Sequence, residues 1–260
     1  HSPPRPHCPQ FLNPYPVGMH EQARDILSRA RHIEVFTGAG MSADSGIATY
    51  RDAVTGLWEN VDPQAMASID AWHLDPDTMF AWYLWRAHLA QQAQPNAGHI
   101  AIAKTPGTTV TTQNIDNLHE RAGSTDVAHL HGSLFDFRCS LCSAAYTSPV
   151  DLPTEPVAEI HPPECPECGG LIRPGVVWFG EALPAEEWAT AEQRMKTADA
   201  VLIVGTSGVV FPAAGLPMMA HAREIPIVEV TPMRTDLSPL ATVVVEDTAA
   251  HALPLILAKS

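Results

Sequence analysis

The run Ile33-Glu34-Val35-Phe36-Thr37-Gly38-Ala39-Gly40-Met41-Ser42-Ala43 decides the fold. A short apolar stretch ends on Thr37-Gly38 and passes into the form G-x-G-x-x-A, in which a strand turns on glycines that let the backbone approach a pyrophosphate. Alone, the motif leaves two readings open, a dinucleotide-binding turn or a plain glycine turn between strand and helix. Upstream, Ala23, Ile26, Leu27 and Ala30 recur at helical spacing over residues 21–31. Downstream, strand-then-turn patterns return at Thr108–Thr112 before Gln113-Asn114, at Ala200–Val204 before Gly205-Thr206-Ser207, and at 225–230 before Thr231-Pro232. Helical stretches over 76–92, 96–104, 186–197 and 212–223 supply the crossovers that parallel strands need. The predicted fold is α/β, a Rossmann-like doubly wound parallel sheet.

Two regions break the alternation. Residues 43–95, rich in tryptophan and polar turns, and 138–172, rich in proline and cysteine, read as a helical insertion and a zinc module that together build a smaller domain. The stretch 1–19 is crowded with proline (Pro3, Pro4, Pro6, Pro9, Pro14, Pro16) and lacks an apolar period, so it reads as an irregular extension of a folded domain spanning 20–260.

Composition bounds the function. Hydrophobic residues make up 45% and charged ones 17%, which is globular and far from disorder. Against 29 acidic residues stand 15 basic ones, for a formal charge of −14, which disfavours nucleic acid and anionic membranes as partners and favours lysine-rich protein segments. With no run of about 20 apolar residues and no signal-like start, the expected setting is the cytoplasm; a monomer is favoured, and the sequence does not fix the oligomeric state.

Four of the five cysteines form two Cys-x-x-Cys pairs, Cys139/Cys142 and Cys165/Cys168. Four thiolates in two such knuckles suit one tetrahedral zinc in a reducing compartment. Catalytic zinc sites keep an open position and use histidine or carboxylate, so the predicted role is structural.

Polar residues crowd the glycine loop: Ser42, Asp44, Ser45, Thr49, Arg51 and Asp52. Gln113-Asn114-Ile115-Asp116 and Gly205-Thr206-Ser207 end two other strands, and strand C-terminal ends are where α/β sheets bind ligands. No acidic residue ends a second strand at the distance an ordinary dehydrogenase needs.

In this order, Gly38 to Ile47, Thr112 to His119, His131-Gly132-Ser133-Leu134, the cysteine pairs and Val177-Trp178-Phe179-Gly180-Glu181 resemble the sirtuins, NAD-dependent protein lysine deacylases. The resemblance runs from Glu21 to the C-terminus. It implies a Rossmann domain plus a small zinc-and-helix domain, with NAD as co-substrate and one structural zinc. It makes His131 the general base, a task that suits histidine because its ordinary pKa of about 6.5 lets it accept a ribose hydroxyl proton near neutrality. The implied chemistry begins when the acyl oxygen of a modified lysine attacks C1′ of the nicotinamide ribose and releases nicotinamide. The ribose hydroxyl, deprotonated by His131, then attacks the resulting imidate, and water yields free lysine and O-acyl-ADP-ribose.

The same resemblance assigns Gly38, Ala39, Gly40, Ser42, Asp44 and Tyr50 to the cofactor loop. It gives Asn114, Ile115 and Asp116 to the nicotinamide and its ribose, Arg51 and Gln113 to phosphates and ribose, and Gly205, Thr206, Ser207, Thr231 and Ala249 to the adenosine half. It makes Val177 to Glu181 an exposed strand edge that captures substrate peptide by backbone pairing. Three positions depart from the family pattern: Tyr50 stands for a common phenylalanine, Ala48 for proline or arginine, and Thr231 for asparagine.

Tyr83 and Arg86 lie three residues apart, neighbours on one helical face. The spacing fits an amphipathic helix whose arginine meets solvent, and it also resembles the Tyr-x-x-Arg signature of class III sirtuins. There the pair lines the acyl pocket, and arginine and tyrosine bond a succinyl or malonyl carboxylate. Two other functions share these residues: a mono-ADP-ribosyltransferase using the same NAD site, and a non-catalytic NAD-sensing scaffold.

Overall fold

The computed structural model describes residues 17–47, 62 and 65–258. Ala48, Tyr50, Arg51 and the proline-rich stretch up to Pro16 lie outside the described residues. Chain order begins with α1 (Val17–Arg29), β1 (Ile33–Thr37), α2 (Gly40–Ala43), α3 (Ile69–Leu74), α4 (Pro76–Gln92), α5 (Ala97–Lys104) and β2 (Thr108–Thr112). It continues through α6 (Leu118–Ala122), β3 (Val127–His129), β4 (Gly132–Cys139), β5 (Ile172–Val176), α7 (Ala185–Thr197) and β6 (Ala200–Val204). Last come α8 (Leu216–His221), β7 (Ile227–Val230), β8 (Val243–Val245) and α9 (Ala249–Ile256).

The main sheet is parallel, in the order β3-β2-β1-β6-β7-β8. β1 and β6 are buried at every residue, as strands covered on both faces must be, and so they read as unbroken apolar runs. Alternate residues sort to opposite cores. Ile33, Val35, Leu202 and Val204 pack with helices α1, α5 and α9, while Phe36, Val201 and Ile203 pack with α7 and α8. Glu34 is the exception, fully buried in β1 with Thr109 Oγ1 donating to its Oε2 at 2.5 Å. Burial outweighs that bond and lifts its carboxyl to about 7.

The chain leaves β1 for β2 and β3 on one side, then returns to β6 and runs outward through β7 and β8. Strand order reverses between β1 and β6, and the crevice outside their C-terminal ends is the expected ligand site.

A second core lies apart from the sheet. In α4 every residue from Met79 to Leu84 is buried, so this helix is apolar all round and sits inside the small domain with α3, Leu134, Val176 and Trp178. Pro76 at its first turn and an Asp75 cap, Oδ1 accepting from the Thr78 amide at 3.0 Å, fix where it starts. The antiparallel pair β4–β5 brackets the cysteine segment and extends beyond 138–172, from Gly132 to Val176.

Two expectations need correction. α1 starts at Val17, inside the stretch that the sequence reads as irregular through residue 19. The 212–223 helix is a 3-10 turn at Ala213–Gly215 followed by the short α8. Among the described residues no helix is long and apolar enough to cross a membrane.

Candidate active site and zinc centre

The glycine loop owes its glycines to a neighbour. A Cβ on Gly40 would lie 2.7 Å from the Gly205 Cα, and one on Gly38 would lie 2.7 Å from the Thr206 Cβ. Two backbone bonds, from the Gly38 amide to Val204 O and from the Gly40 amide to Gly205 O, lock the two strand ends together at 3.0 and 2.8 Å. Gly205 itself has φ +60, and a Cβ there would meet Gly40 C and Met41 N at 2.4 Å. The glycines thus let the β1 and β6 loops meet at the reversal point. Gly205→Ala is expected to cost about 2 kcal/mol or more of stability, because it adds left-handed strain to a clash with backbone. Denaturant unfolding measures it, and an unchanged midpoint would contradict this packing.

Around this floor runs a hydrogen-bond network. Asn114 Nδ2 donates to Gly38 O at 3.0 Å and to Ser42 Oγ at 3.2 Å, and Ser42 Oγ donates to Asp116 Oδ2 at 2.9 Å. Asp116 Oδ1 accepts from the Leu118 amide at 3.0 Å, yet burial prevails and raises its carboxyl above the ordinary range. Gln113 Nε2 donates to Thr206 Oγ1 at 2.8 Å, bridging the β2 and β6 ends.

His131 Nδ1 lies 3.0 Å from Gln113 O. A carbonyl only accepts, so Nδ1 carries the proton and Nε2 keeps its lone pair. Burial lowers the pKa below the ordinary histidine value, against the opposing pull of that carbonyl, so the ring is a neutral base at pH 7.

Other assigned residues have quieter surroundings. Asp44 Oδ2 accepts from the Ala250 amide at the start of α9. Ala249 is buried in the sheet core, Ile115 packs toward the small domain, and Thr231 Oγ1 donates to Met233 O at 2.6 Å. Ser207 O accepts from the Asp236 amide at 3.4 Å. Ala39 O accepts from the Ser42 amide at 3.1 Å.

The stretch Val177 to Glu181 is a turn-bearing loop, since β5 ends at Val176. Its amides already have partners: Val177 N bonds His131 O at 2.9 Å, Trp178 N bonds Glu181 Oε2 at 2.8 Å, and Phe179 N bonds Ala67 O at 2.8 Å. These contacts brace the loop, in which Phe179 forms an isolated parallel bridge with Ser68 and Gly180 takes φ +90 in the turn. Arg173, missed in the sequence, is the brace. It forks onto Glu181 at 2.5 and 2.8 Å and stacks on Trp178 with its Cζ 3.3 Å from the ring centroid. Burial opposes the Glu181 charge, but those bonds hold its carboxyl below the usual range.

Tyr83 is buried, and its hydroxyl accepts from Trp178 Nε1 at 2.9 Å. Arg86 Cζ lies 4.8 Å from the Trp82 ring centroid and 5.6 Å from that of Tyr83. Through Trp178 and Val177 the pair connects to the His131 carbonyl.

Two further residues escaped the sequence. His129 Nε2 meets Glu120 Oε1 at 2.6 Å and Nδ1 meets Asn114 O at 3.0 Å. Both partners accept, so they outweigh burial and hold its pKa above the ordinary value. Asn96 Nδ2 donates to Met41 O at 2.9 Å and to Ser45 Oγ at 3.0 Å, clamping α2.

The cysteine sulfurs converge. Cys139 Sγ lies 3.4 Å from Cys168 Sγ, Cys142 Sγ lies 3.8 Å from Cys165 Sγ, and all four fall within 4.8 Å of one another. These gaps are far above a disulfide bond and match the roughly 3.8 Å that sulfurs keep around tetrahedral zinc. Leu141 and Cys142 amides aim at Cys139 Sγ, as in a knuckle.

Residues 38–212 match the Sir2 family model. The chain belongs to the Sir2 family. It is 62% identical over 241 residues to the "NAD-dependent protein deacylase 2" of Corynebacterium efficiens, covering 90% of this chain and 95% of that one. Among solved structures, a Sir2 homolog–NAD complex superposes with TM-score 0.82 at 38% identity, covering 91% of this chain and 92% of the other. A Sir2 variant holding deacetylated p53 peptide and 3′-O-acetyl-ADP-ribose gives TM-score 0.77 at 29% identity, over 91% and 96% of the two chains.

The Sir2 crevice of this chain fits a dinucleotide. Neutral amides and hydroxyls from Gln113, Asn114, Thr206 and Ser207 rim it. Among the described residues, its carboxylates are already engaged: Asp44 Oδ2 accepts from the Ala250 amide, and Asp116 accepts from Ser42 Oγ and the Leu118 amide.

Proposed function

We propose that this Sir2-family chain is an NAD-dependent protein lysine deacylase that removes succinyl and malonyl groups, and acetyl as a lesser substrate, yielding nicotinamide and O-acyl-ADP-ribose. The observation that carries the deacylase reading is a neutral base at the crevice, His131, whose tautomer leaves Nε2 to accept a proton from a ribose hydroxyl. Asn114 and Asp116 would hold the nicotinamide end, Gly205 to Ser207 and Thr231 the adenosine end, and Arg51 the phosphates. Acylated lysine segments would enter beside the 177–181 loop, in keeping with the acidic chain and a cytoplasmic setting.

The acyl preference rests on Tyr83 and Arg86. A guanidinium held against aromatic rings in a half-buried position is weakly hydrated and bonds a carboxylate strongly. Arg86→Met is expected to lower kcat/KM for a succinyl-lysine peptide about 30-fold, equivalent to about 2 kcal/mol, since a charge-assisted bond is lost. Deacetylation should change by less than about 3-fold, because the acetyl group offers no carboxylate. Incubation with NAD and acetyl-, malonyl-, succinyl- and glutaryl-lysine peptides reads both. Equal loss of all activities would sink the preference, and stable labelling of protein by labelled NAD would point to ADP-ribosyl transfer.

A further inference from the structure

Three ligand atoms from opposite ends of the chain converge beside the sheet. His20 on α1 and His251 on α9 both aim at one oxygen of Asp247, which follows β8: His20 Nε2 at 3.1 Å and His251 Nδ1 at 2.5 Å from Oδ2. All three atoms lie within 4.8 Å of one another. The other oxygen, Oδ1, accepts from the Thr248 amide at 2.7 Å, which fixes the carboxylate with Oδ2 toward the rings. Asp247 is held further by its own amide, bonded to Thr231 O at 3.1 Å and Val245 O at 3.0 Å. Its side chain is 3% exposed, His20 is 12% and His251 56%. A buried carboxylate and a half-buried imidazole form a preset floor, and the exposed imidazole forms a movable lid.

We propose that His20, Asp247 and His251 form a second metal site, for a borderline divalent ion such as Zn²⁺ or Ni²⁺, that staples α1 to α9. Two imidazoles and one carboxylate with a position left for water are a ligand set such ions take. Ligands about 2.1 Å from a tetrahedral metal sit roughly 3.4 Å apart. His20 is already near that spacing, and His251 reaches it by swinging outward by under about 1 Å, which an exposed side chain does freely. A cation here also relieves a carboxylate removed from water in a chain of net charge −14. The site differs in kind from the cysteine centre: it holds nitrogen and oxygen ligands, it is open, and it ties the two ends of the described chain across 227 positions of sequence from His20 to Asp247.

The test titrates protein that retains its structural zinc with Ni²⁺, counts both metals after gel filtration, and records thermal unfolding. One additional equivalent of Ni²⁺ is expected, with zinc content unchanged and the unfolding midpoint raised by about 5 °C at a hundredfold excess over Kd. His251→Ala, a change on an exposed helical face, should lose that equivalent and that shift while basal deacylation persists. His20→Gln should do the same. Because His1, His7 and Cys8 are present in every variant, Ni²⁺ held by them cancels in the difference. Equal Ni²⁺ uptake by the parent protein and His251→Ala would overturn the site, as would Ni²⁺ that enters only by displacing zinc.

Discussion

His131→Ala is expected to lower the kcat of lysine deacylation about 1000-fold, the middle of the range for removing a positioned general base. One bond sets the state of the ring. Gln113 O takes the Nδ1 proton, so the ring has a single tautomer and its lone pair is at Nε2. Burial holds the pKa below the ordinary value and keeps the base unprotonated through neutrality. The pH profile follows in sign. A lowered pKa means that protonation, and with it loss of activity, sets in only on the acid side of about 6.5. The variant should lose this acid limb along with its rate, because no titrating base remains. NAD and peptide affinities should stay within about 3-fold, since truncation touches only a group whose role is played in the transition state. A variant that kept more than a tenth of the parent kcat would place the base elsewhere. Loss of NAD binding in parallel with rate would show His131 to be a structural prop instead.

The fold was largely legible where burial on both faces wrote the strand as an apolar run. β1 and β6 are such runs, and β2, Thr-Thr-Val-Thr-Thr, is β-branched throughout. Helix α4 announced itself by length and by Pro76, although its unbroken buried run from Met79 to Leu84 gives no amphipathic signal. Other elements stayed hidden for physical reasons. β3 and β8 have three residues each, too few to show a period. Strand β4 is only partly buried and opens on a positive-φ glycine, Gly132, which reads as a turn. Pro254 sits inside α9, where a sequence reading ends a helix; tertiary packing of Ala252, Leu253 and Ile256 overrides it.

Much of the site was readable as clusters at strand ends, yet not as contacts. That Gly38 and Gly40 pack against Gly205 and Thr206 depends on which strands are neighbours, and pairing across more than 160 positions has no local signature. His129 illustrates the same limit. One residue among thirteen histidines becomes a brace for the Asn114 strand end only when Glu120 and the Asn114 carbonyl close on its two nitrogens. Arg173 gave no signal either, because its worth lies in a fork onto Glu181, in a loop whose bracing no motif states.

Removing one zinc ligand, by Cys139→Ser, is expected to abolish activity together with zinc content. The cysteine module has too little core to fold alone: its buried members are Cys139, Cys165 and Ile172, while Cys142 and Cys168 are exposed. Metal binding must therefore supply what hydrophobic burial does not, and in small zinc modules it contributes on the order of 10 kcal/mol. The damage should not stay local. Cys139 ends β4 and pairs with Ile172, which begins β5, so unravelling the module frees both strands from the end farthest from the crevice. β5 carries Arg173, the brace of Glu181 and Trp178, and runs directly into Val177, whose amide holds the His131 carbonyl. The β4 side carries Leu134, which packs on the same core as Tyr83. The 177–181 loop, Tyr83 and His131 are thus all anchored through strands that the cysteine centre closes. The parallel sheet has its own two cores and should survive, so far-ultraviolet circular dichroism is expected to keep its helical signal while a second, lower unfolding transition appears or vanishes. Zinc counting, dichroism and deacylation measured on one preparation separate the outcomes. A zinc-free Cys139→Ser protein with parent activity would refute the structural role.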